Sequence, residues 1–370
     1  ACPYFVGRYF RGVNNGDSPR WLKDQLLKIG LRPISALVDI TNYFTVAYGR
    51  PLHVFDADKV KGNIHVRLSR SGEKFLALDG KEYTLDDGMT LIADEKSPEA
   101  LGGVMGGQHS GCTENTKNVF LEAAYFDPAR TAITGRKLNL QSDARFRFER
   151  GIDPEFQLPA TELASKFITD FCGGEVSEML VVGEIPNVPR SYFLRKNRIK
   201  ELGGVTIPTK HIRNILGALG FELSEGSDGW DCLVPSWRHD VVGEADLVEE
   251  VLRIHGFDEI PAVPLKPDIA LPTGVVNRHQ ERRAFARRGL AARGMTEAIT
   301  FSFIPNYHAA LFGGVKDSLH LVNPISTELD VMRPAILPNL IDAVRRNGDR
   351  GIEDSALFEV GPQFKGENPE

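Results

Sequence analysis

The strongest constraint on this chain lies between Leu101 and Gly151. Five glycines, Gly102, Gly103, Gly106, Gly107 and Gly111, crowd into one run ahead of the apolar segment 119–124. Glycine serves where backbone turns sharply or another group comes close, because no Cβ stands in the way. The run lacks the Lys-Ser/Thr ending of a nucleotide P-loop, and its spacing is not GxGxxG. A tight loop between strands is the plain reading. Glu122 changes it: Phe120, Leu121, Ala123 and Ala124 predict a short buried strand around this carboxylate. A carboxylate there is costly unless it is hydrogen-bonded, paired or functional.

At 370 residues the chain is long enough for two to three domains. With 42% hydrophobic and 25% charged residues, it has the composition of an ordinary globular protein. No apolar run approaches a membrane span and no secretory leader is read at its start. Cys2, Cys112, Cys172 and Cys232 are dispersed without a CxxC pair, which speaks against zinc and for a reducing, cytoplasmic setting. A net charge of −6 gives no bulk attraction to nucleic acid, so any RNA contact must be local. Arg195/Lys196/Arg198/Lys200, Arg282/Arg283/Arg287/Arg288 and Arg345/Arg346/Arg350 are the candidate patches; on sequence alone a solvated helix face is the better reading of each.

The fold class expected is α+β, in several domains. Ser18-Pro19 opens a helix, with Ser18 as cap. Ser35 to Val46 forms a second, with Ile40, Val46 and Ala47 as core. Strands follow in IHVRLS and KFLALDGKEYTL, the latter around an Asp79-Gly80 turn. A helix runs from Asp153-Pro154 to Phe171, its start shortened by Pro159 and its end set by Gly173-Gly174. Proline-rich links at 185–189 and 260–272 bracket a helix-rich unit with a strand at Trp230 to Val234. An amphipathic, arginine-rich helix begins at Asn277.

A second constellation, WRHDVVGEADLVEEVLRIHGF, spans 237–257. A helix beginning near Gly243 puts Asp246, Glu249 and Glu250 on one face, where like charges repel. The helix dipole accounts for acids in the first turn, less well for Glu249 and Glu250. With Asp240 these are four carboxylates whose oxygen chemistry suits magnesium.

The combination GGVMGGQHSG, VFLEAAYF and SDARFRFERGIDP resembles the β subunit of bacterial phenylalanyl-tRNA synthetase, in the module that hydrolyses tRNA-Phe mischarged with tyrosine. The resemblance extends along the whole chain and implies three units. These are an α+β editing domain over 1–183, a small helix-rich, winged-helix-like domain over 190–262, and a truncated class II synthetase-like antiparallel-sheet domain over 273–370. The family's editing site maps onto Arg32, His53, Gly106, Glu122, Ser142 and Ala144. By resemblance, Glu122 recognises the tyrosyl hydroxyl, and Gly106 and Ala144 leave room for the ring. His53 lies near the ester and positions water or the terminal ribose; read by itself, it is a histidine bonded to nearby Asp56. Ser142 stands where many relatives have threonine. Asp240, Asp246, Glu249 and Glu250 fall on the family's Mg2+ site, shared with the α subunit. Arg333 and Glu359 are the nearest counterparts of the class II residues that grip ATP, but the set is incomplete. ATP is therefore expected as substrate of an α2β2 heterotetramer whose synthetic site is on α, with tRNA-Phe as the other partner and neither membrane nor DNA. Since the family's β subunits are much longer, a fragment is expected. A free-standing hydrolase of mischarged tRNA and a non-catalytic RNA-binding scaffold are the alternatives.

Overall fold

The computed structural model describes residues 1–186, 189–264 and 274–367. They fall into two compact units, Ala1–Val263 and Pro264–Glu370. Much of both proline-rich links lies outside the described residues.

The first unit opens with strand β1 (Tyr4–Arg11) and helices α1 (Arg20–Lys28) and α2 (Ala36–Ala47). Six short strands follow: β2 (His53–Asp56), β3 (His65–Leu68), β4 (Lys74–Leu76), β5 (Glu82–Thr84), β6 (Thr90–Ala93) and β7 (Pro98–Leu101). Then come β8 (Met105–Gly106), β9 (Asn118–Tyr125), α3 (Pro128–Lys137), α4 (Asp143–Phe148), α5 (Gln157–Cys172) and β10 (Glu175–Gly183).

An antiparallel sheet of order β10-β1-β9-β2 forms the centre. Strand side chains alternate between faces, and β9 uses this fully. Val119, Leu121 and Ala123 join Val6 and Phe10 against Leu37, Ile40 and Phe44 of α2 and Ala160, Ala164 and Ile168 of α5. Phe120, Glu122 and Ala124 take the opposite face. There a second sheet, of order β3-β6-β7-β8, contributes Ile92 and Ala100 to a core with Phe55, Ala124, Phe126 and Phe148. Glu122 is therefore enclosed between two sheets.

Local expectations are corrected in places. Ser18 does not cap α1; its hydroxyl donates to Asp39 at 2.5 Å, and Pro19 takes the cap position. Val46 is exposed, as is Ala47, because the α2 face that meets the sheet carries Leu37, Ile40 and Phe44. Helix α5 begins at Gln157, not at Asp153, which puts Pro159 in the first turn, where a missing N–H costs nothing. Gly173, with φ 65°, ends it.

The rest of this unit holds β11 (Ser191–Arg195), α6 (Arg198–Gly203), α7 (Thr209–Ala218), β12 (Glu222–Glu225), β13 (Gly229–Leu233) and α8 (Glu244–His255). Three strands, not one, pair here in the order β11-β13-β12. Their core joins Trp230 and Leu194 to Ile212, Leu216, Leu247 and Val251 from the helices.

The second unit contains α9 (Arg278–Ala291), β14 (Thr296–Glu297), β15 (Phe303–Ile304), α10 (Asn306–Leu311), β16 (Val331–Met332), α11 (Leu337–Gly348) and β17 (Leu357–Phe358). β14 pairs β17 in parallel and β15 pairs β16 antiparallel. Helix α9 starts with a full capping box, Asn277 with Gln280, but it is not amphipathic: it buries no residue. Arginines recur on all sides of it, so no apolar stripe can form. Among the described residues, no helix is long and apolar enough to cross a membrane.

Candidate functional site

Strands β2 and β9 pair with His53 opposite Glu122, and β9 and β1 pair with Glu122 opposite Gly7. Cross-strand partners share a face, so imidazole and carboxylate enter one cleft side by side. The glycine run supplies the opposing wall. It turns between β7 and β8 through Gly103, at φ 72°, and brings Gly106 so close that a methyl group there would overlap the His53 ring. Glycine is the only residue that satisfies either demand. Helix α4 closes the end. Ser142 caps it by accepting from the Arg145 N–H at 3.0 Å, and its hydroxyl donates back to the Val104 carbonyl at 2.5 Å.

The resulting cavity, about 60 Å³, is lined by Leu52, His53, Met105, Gly106, Glu122, Ala144 and Phe148, among others. Ligand clefts usually exceed ~300 Å³, so a ring enters only when side chains at the mouth give way. Met105, half-buried and unbranched, is suited to that.

Electrostatically the cleft is unusual. Glu122 is 5% exposed and hydrogen-bonds to no described residue. Burial pushes its carboxyl up to about 7, against the pull of the buried Arg50 guanidinium. Burial alone lowers His53 to about 4, and its enclosed Nε2 has no partner. At neutral pH the imidazole is uncharged and a weak base. It is not bonded to Asp56, whose carboxylate accepts from Thr116 at 2.7 Å.

The structure thus brings together His53, Gly106, Glu122 and Ala144. Ser142 stands behind them as a cap. Arg32 is exposed on the turn before α2, outside the cavity lining and without hydrogen bond or ion pair among the described residues. Arg50, Met105, Phe126 and Phe148 were not anticipated. Only the proximity of Arg50 to His53 in the GRPLH segment signals the first of these.

The four acidic residues near α8 do not converge. Arg238 chelates Asp240 through Nε at 2.8 Å and Nη2 at 2.6 Å, and reaches Glu250 through Nη1 at 2.9 Å. Arg253 adds a second bond to Glu250, which is buried on the core side. Asp246 accepts from the Val242 N–H at 2.8 Å, and Glu249 points to solvent. No group of three or more metal-capable side chains gathers among the described residues. With Asp240 and Glu250 held by guanidinium groups and Asp246 by a backbone N–H, these four residues do not fit a divalent cation as they stand.

In the second unit Arg333 and Glu359 are both buried and bond to one another at 2.7 Å, with Thr300 between them. Arg333 also donates to the Pro362 carbonyl. Each class II counterpart is thereby consumed by the other.

Comparison with known proteins gives three consecutive family matches. The B3/4 domain covers residues 1–173, the tRNA synthetase B5 domain 192–257, and the phenylalanyl tRNA synthetase beta chain CLM domain 260–370. Proteins named phenylalanine–tRNA ligase beta subunit are similar throughout. That of Paramagnetospirillum magneticum is 58% identical over 369 residues, that of Rhodospirillum rubrum 54% over 373, and that of Mesorhizobium japonicum 52% over 366. The matches take in 99–100% of this chain and 46% of each relative, so the chain spans about half their length.

Proposed function

From the premise that the chain belongs to the phenylalanine–tRNA ligase β-subunit family, we propose that its first unit hydrolyses tyrosyl-tRNA-Phe. The observation that carries this reading is the unbonded, buried carboxylate of Glu122 facing a small apolar cavity beside His53. An apolar pocket discriminates poorly against one added hydroxyl, by about a hundredfold; a site built to hydrogen-bond that hydroxyl discriminates by about 10⁴ or more. Glu122 accepts the phenolic proton of tyrosine. A phenylalanyl ring would leave it buried and unpaired, at a cost of roughly 1–3 kcal/mol.

In the reaction, water adds to the ester carbonyl carbon and the bond to the terminal ribose oxygen breaks. Free tyrosine and an uncharged tRNA end leave. His53, neutral at physiological pH, orients water or the ribose by hydrogen bonding. Gly106 and Ala144 keep the ring's path clear, and Ser142 fixes the turn that bounds it.

The remaining assignments belong to the whole enzyme. Synthesis of phenylalanyl-tRNA from ATP is proposed for an α subunit, within a cytoplasmic α2β2 assembly. The mutual consumption of Arg333 and Glu359 supports a scaffold role for the second unit. A Mg2+ ion shared with α would draw on Asp240, Asp246, Glu249 and Glu250, but Arg238 must first let go of two of them, and no step is routed through that ion.

The test compares release of tyrosine from tyrosyl-tRNA-Phe with release of phenylalanine from phenylalanyl-tRNA-Phe. Full-length β with α, and this chain alone, are each assayed as wild type and Glu122→Ala. Selective tyrosine release that Glu122→Ala abolishes is expected. Unchanged release in the variant would remove the assignment.

A further inference from the structure

Arg50 is the second buried charge of the cleft. It precedes β2 by three residues and is 1% exposed. Its Nη2 donates to the Ala124 carbonyl at 2.8 Å and to Gln157 Oε1 at 3.3 Å. Its Nε and Nη1 are enclosed and donate to nothing. The guanidinium carbon stands 5.8 Å from the ring of Phe148, a cavity-lining side chain.

A buried guanidinium is costly unless its donors and charge are matched. Arg333, equally buried, meets that demand: it uses Nε, Nη1 and Nη2 on Pro362, Thr300 and Glu359. Arg50 leaves two donors idle. Ala124, whose carbonyl it holds, lies two residues along β9 from Glu122 on the same face, and Glu122 is the charge that acts on it most strongly, ahead of Asp153 and Cys2.

We propose that Arg50 is a specificity-determining residue of the cleft, acting through Glu122: its fixed positive charge favours the anionic form of that carboxylate against burial, and the anion accepts the hydroxyl of a phenolic aminoacyl group. The proposal rests on the editing reading above. A charge-assisted hydrogen bond is about twice as strong as a neutral one, so the ionic state of Glu122 sets how well tyrosine is told from phenylalanine. The other titratable groups facing Glu122 do not supply this charge. His53 from β2 is neutral, lowered to about 4, and Cys2 from the segment ahead of β1 is a thiol pushed up to about 12. Asp153, ahead of α5, is an acidic side chain that carries no positive charge, and it acts on Arg50, not on Glu122. Arg50, lowered to about 10 by burial, is still a cation at neutral pH.

The experiment uses the αβ holoenzyme and measures tyrosine release from tyrosyl-tRNA-Phe as a function of pH. It compares Arg50→Lys, Arg50→Gln and Glu122→Gln, each checked by circular dichroism. Arg50→Gln is expected to slow release about tenfold at neutral pH and to move the rising limb of the profile by about one pH unit toward alkali. Arg50→Lys keeps the wild-type limb. If Lys and Gln variants share one limb, charge at position 50 has no role and the proposal fails. Should Arg50→Gln not fold, a wild-type limb in Arg50→Lys supports the proposal and a displaced one overturns it. Failure of the editing reading looks different: release would then be insensitive to Glu122→Gln as well.

Discussion

His53 and Glu122 face each other across the β2–β9 ladder, and one burial moves their proton affinities in opposite directions. His53, at about 4 in the fold against 6.5 when exposed, contributes stability that is complete above 6.5 and is lost as pH falls toward 4. Glu122, at about 7 against 4.5, contributes stability that is complete below 4.5 and is lost as pH rises toward 7. Between 4.5 and 6.5 the two slopes oppose each other. Glu122→Gln removes one of them. The variant is expected to gain stability with rising pH through that window, its stability relative to wild type rising by roughly 3 kcal/mol between pH 4.5 and neutral. Urea unfolding of both proteins at a series of pH values checks this; parallel curves would mean that Glu122 does not titrate as its burial demands.

Gly106→Ala places a methyl group where the His53 ring now lies. The wall strand is only two residues long and the ring is packed edge-on to Phe55, 4.5 Å between centroids, so the imidazole must swing or β8 must shift. Selective tyrosine release is expected to fall by about tenfold or more, since small misplacements at a reacting centre carry large kinetic costs. The global fold persists. NMR of the histidine ring shows whether it moved; an unmoved ring with intact selectivity contradicts the contact.

Ser142→Ala removes a helix cap and the bond to Val104 together. A lost cap costs about 1 kcal/mol and a lost hydrogen bond about as much again. Ser142→Thr keeps both roles of the single hydroxyl and should be close to neutral. Thermal unfolding of the two variants separates this from a direct role for the hydroxyl in hydrolysis: in the capping account, Ala loses stability and turnover together while Thr loses neither.

What the sequence made legible follows from what each pattern measures. A short apolar run around Glu122 identified a strand with a buried carboxylate, because apolar neighbours on both sides of it fix its burial. Gly106 and His53 were reachable by resemblance, although their contact was not, since it joins residues 53 positions apart through sheet pairing. Arg50 was signalled only by its closeness to His53 in the chain, because arginine beside glycine and proline reads as a solvated turn and its burial is decided by α5 and β9. Val46 failed for the converse reason: helical periodicity says that a stripe is apolar, not which edge of it meets the sheet. That the acidic residues near α8 do not gather was not legible either: it follows from Arg238, ahead of the helix, whose fork matches Asp240 geometrically.

That last interaction has a counterpart in the second unit, where it supports a prediction. Arg333 and Glu359 form a buried pair bonded at 2.7 Å, and Thr300 Oγ1 donates to Glu359 at 2.6 Å. Removing one member leaves the other charged and enclosed, which costs roughly 3–5 kcal/mol, whereas removing both with apolar groups of similar size is close to neutral. Arg333→Met and Glu359→Leu should therefore each destabilise the second unit severely. The double variant should recover most of the loss, with a coupling of about 2–3 kcal/mol in a double-mutant cycle. The cycle also bears on function. A pair that is worth this much to the fold is not free to grip ATP, so nucleotide should give this unit no thermal protection. Additive losses, or protection by ATP that disappears with Arg333→Met, would instead make the two residues ligands in waiting.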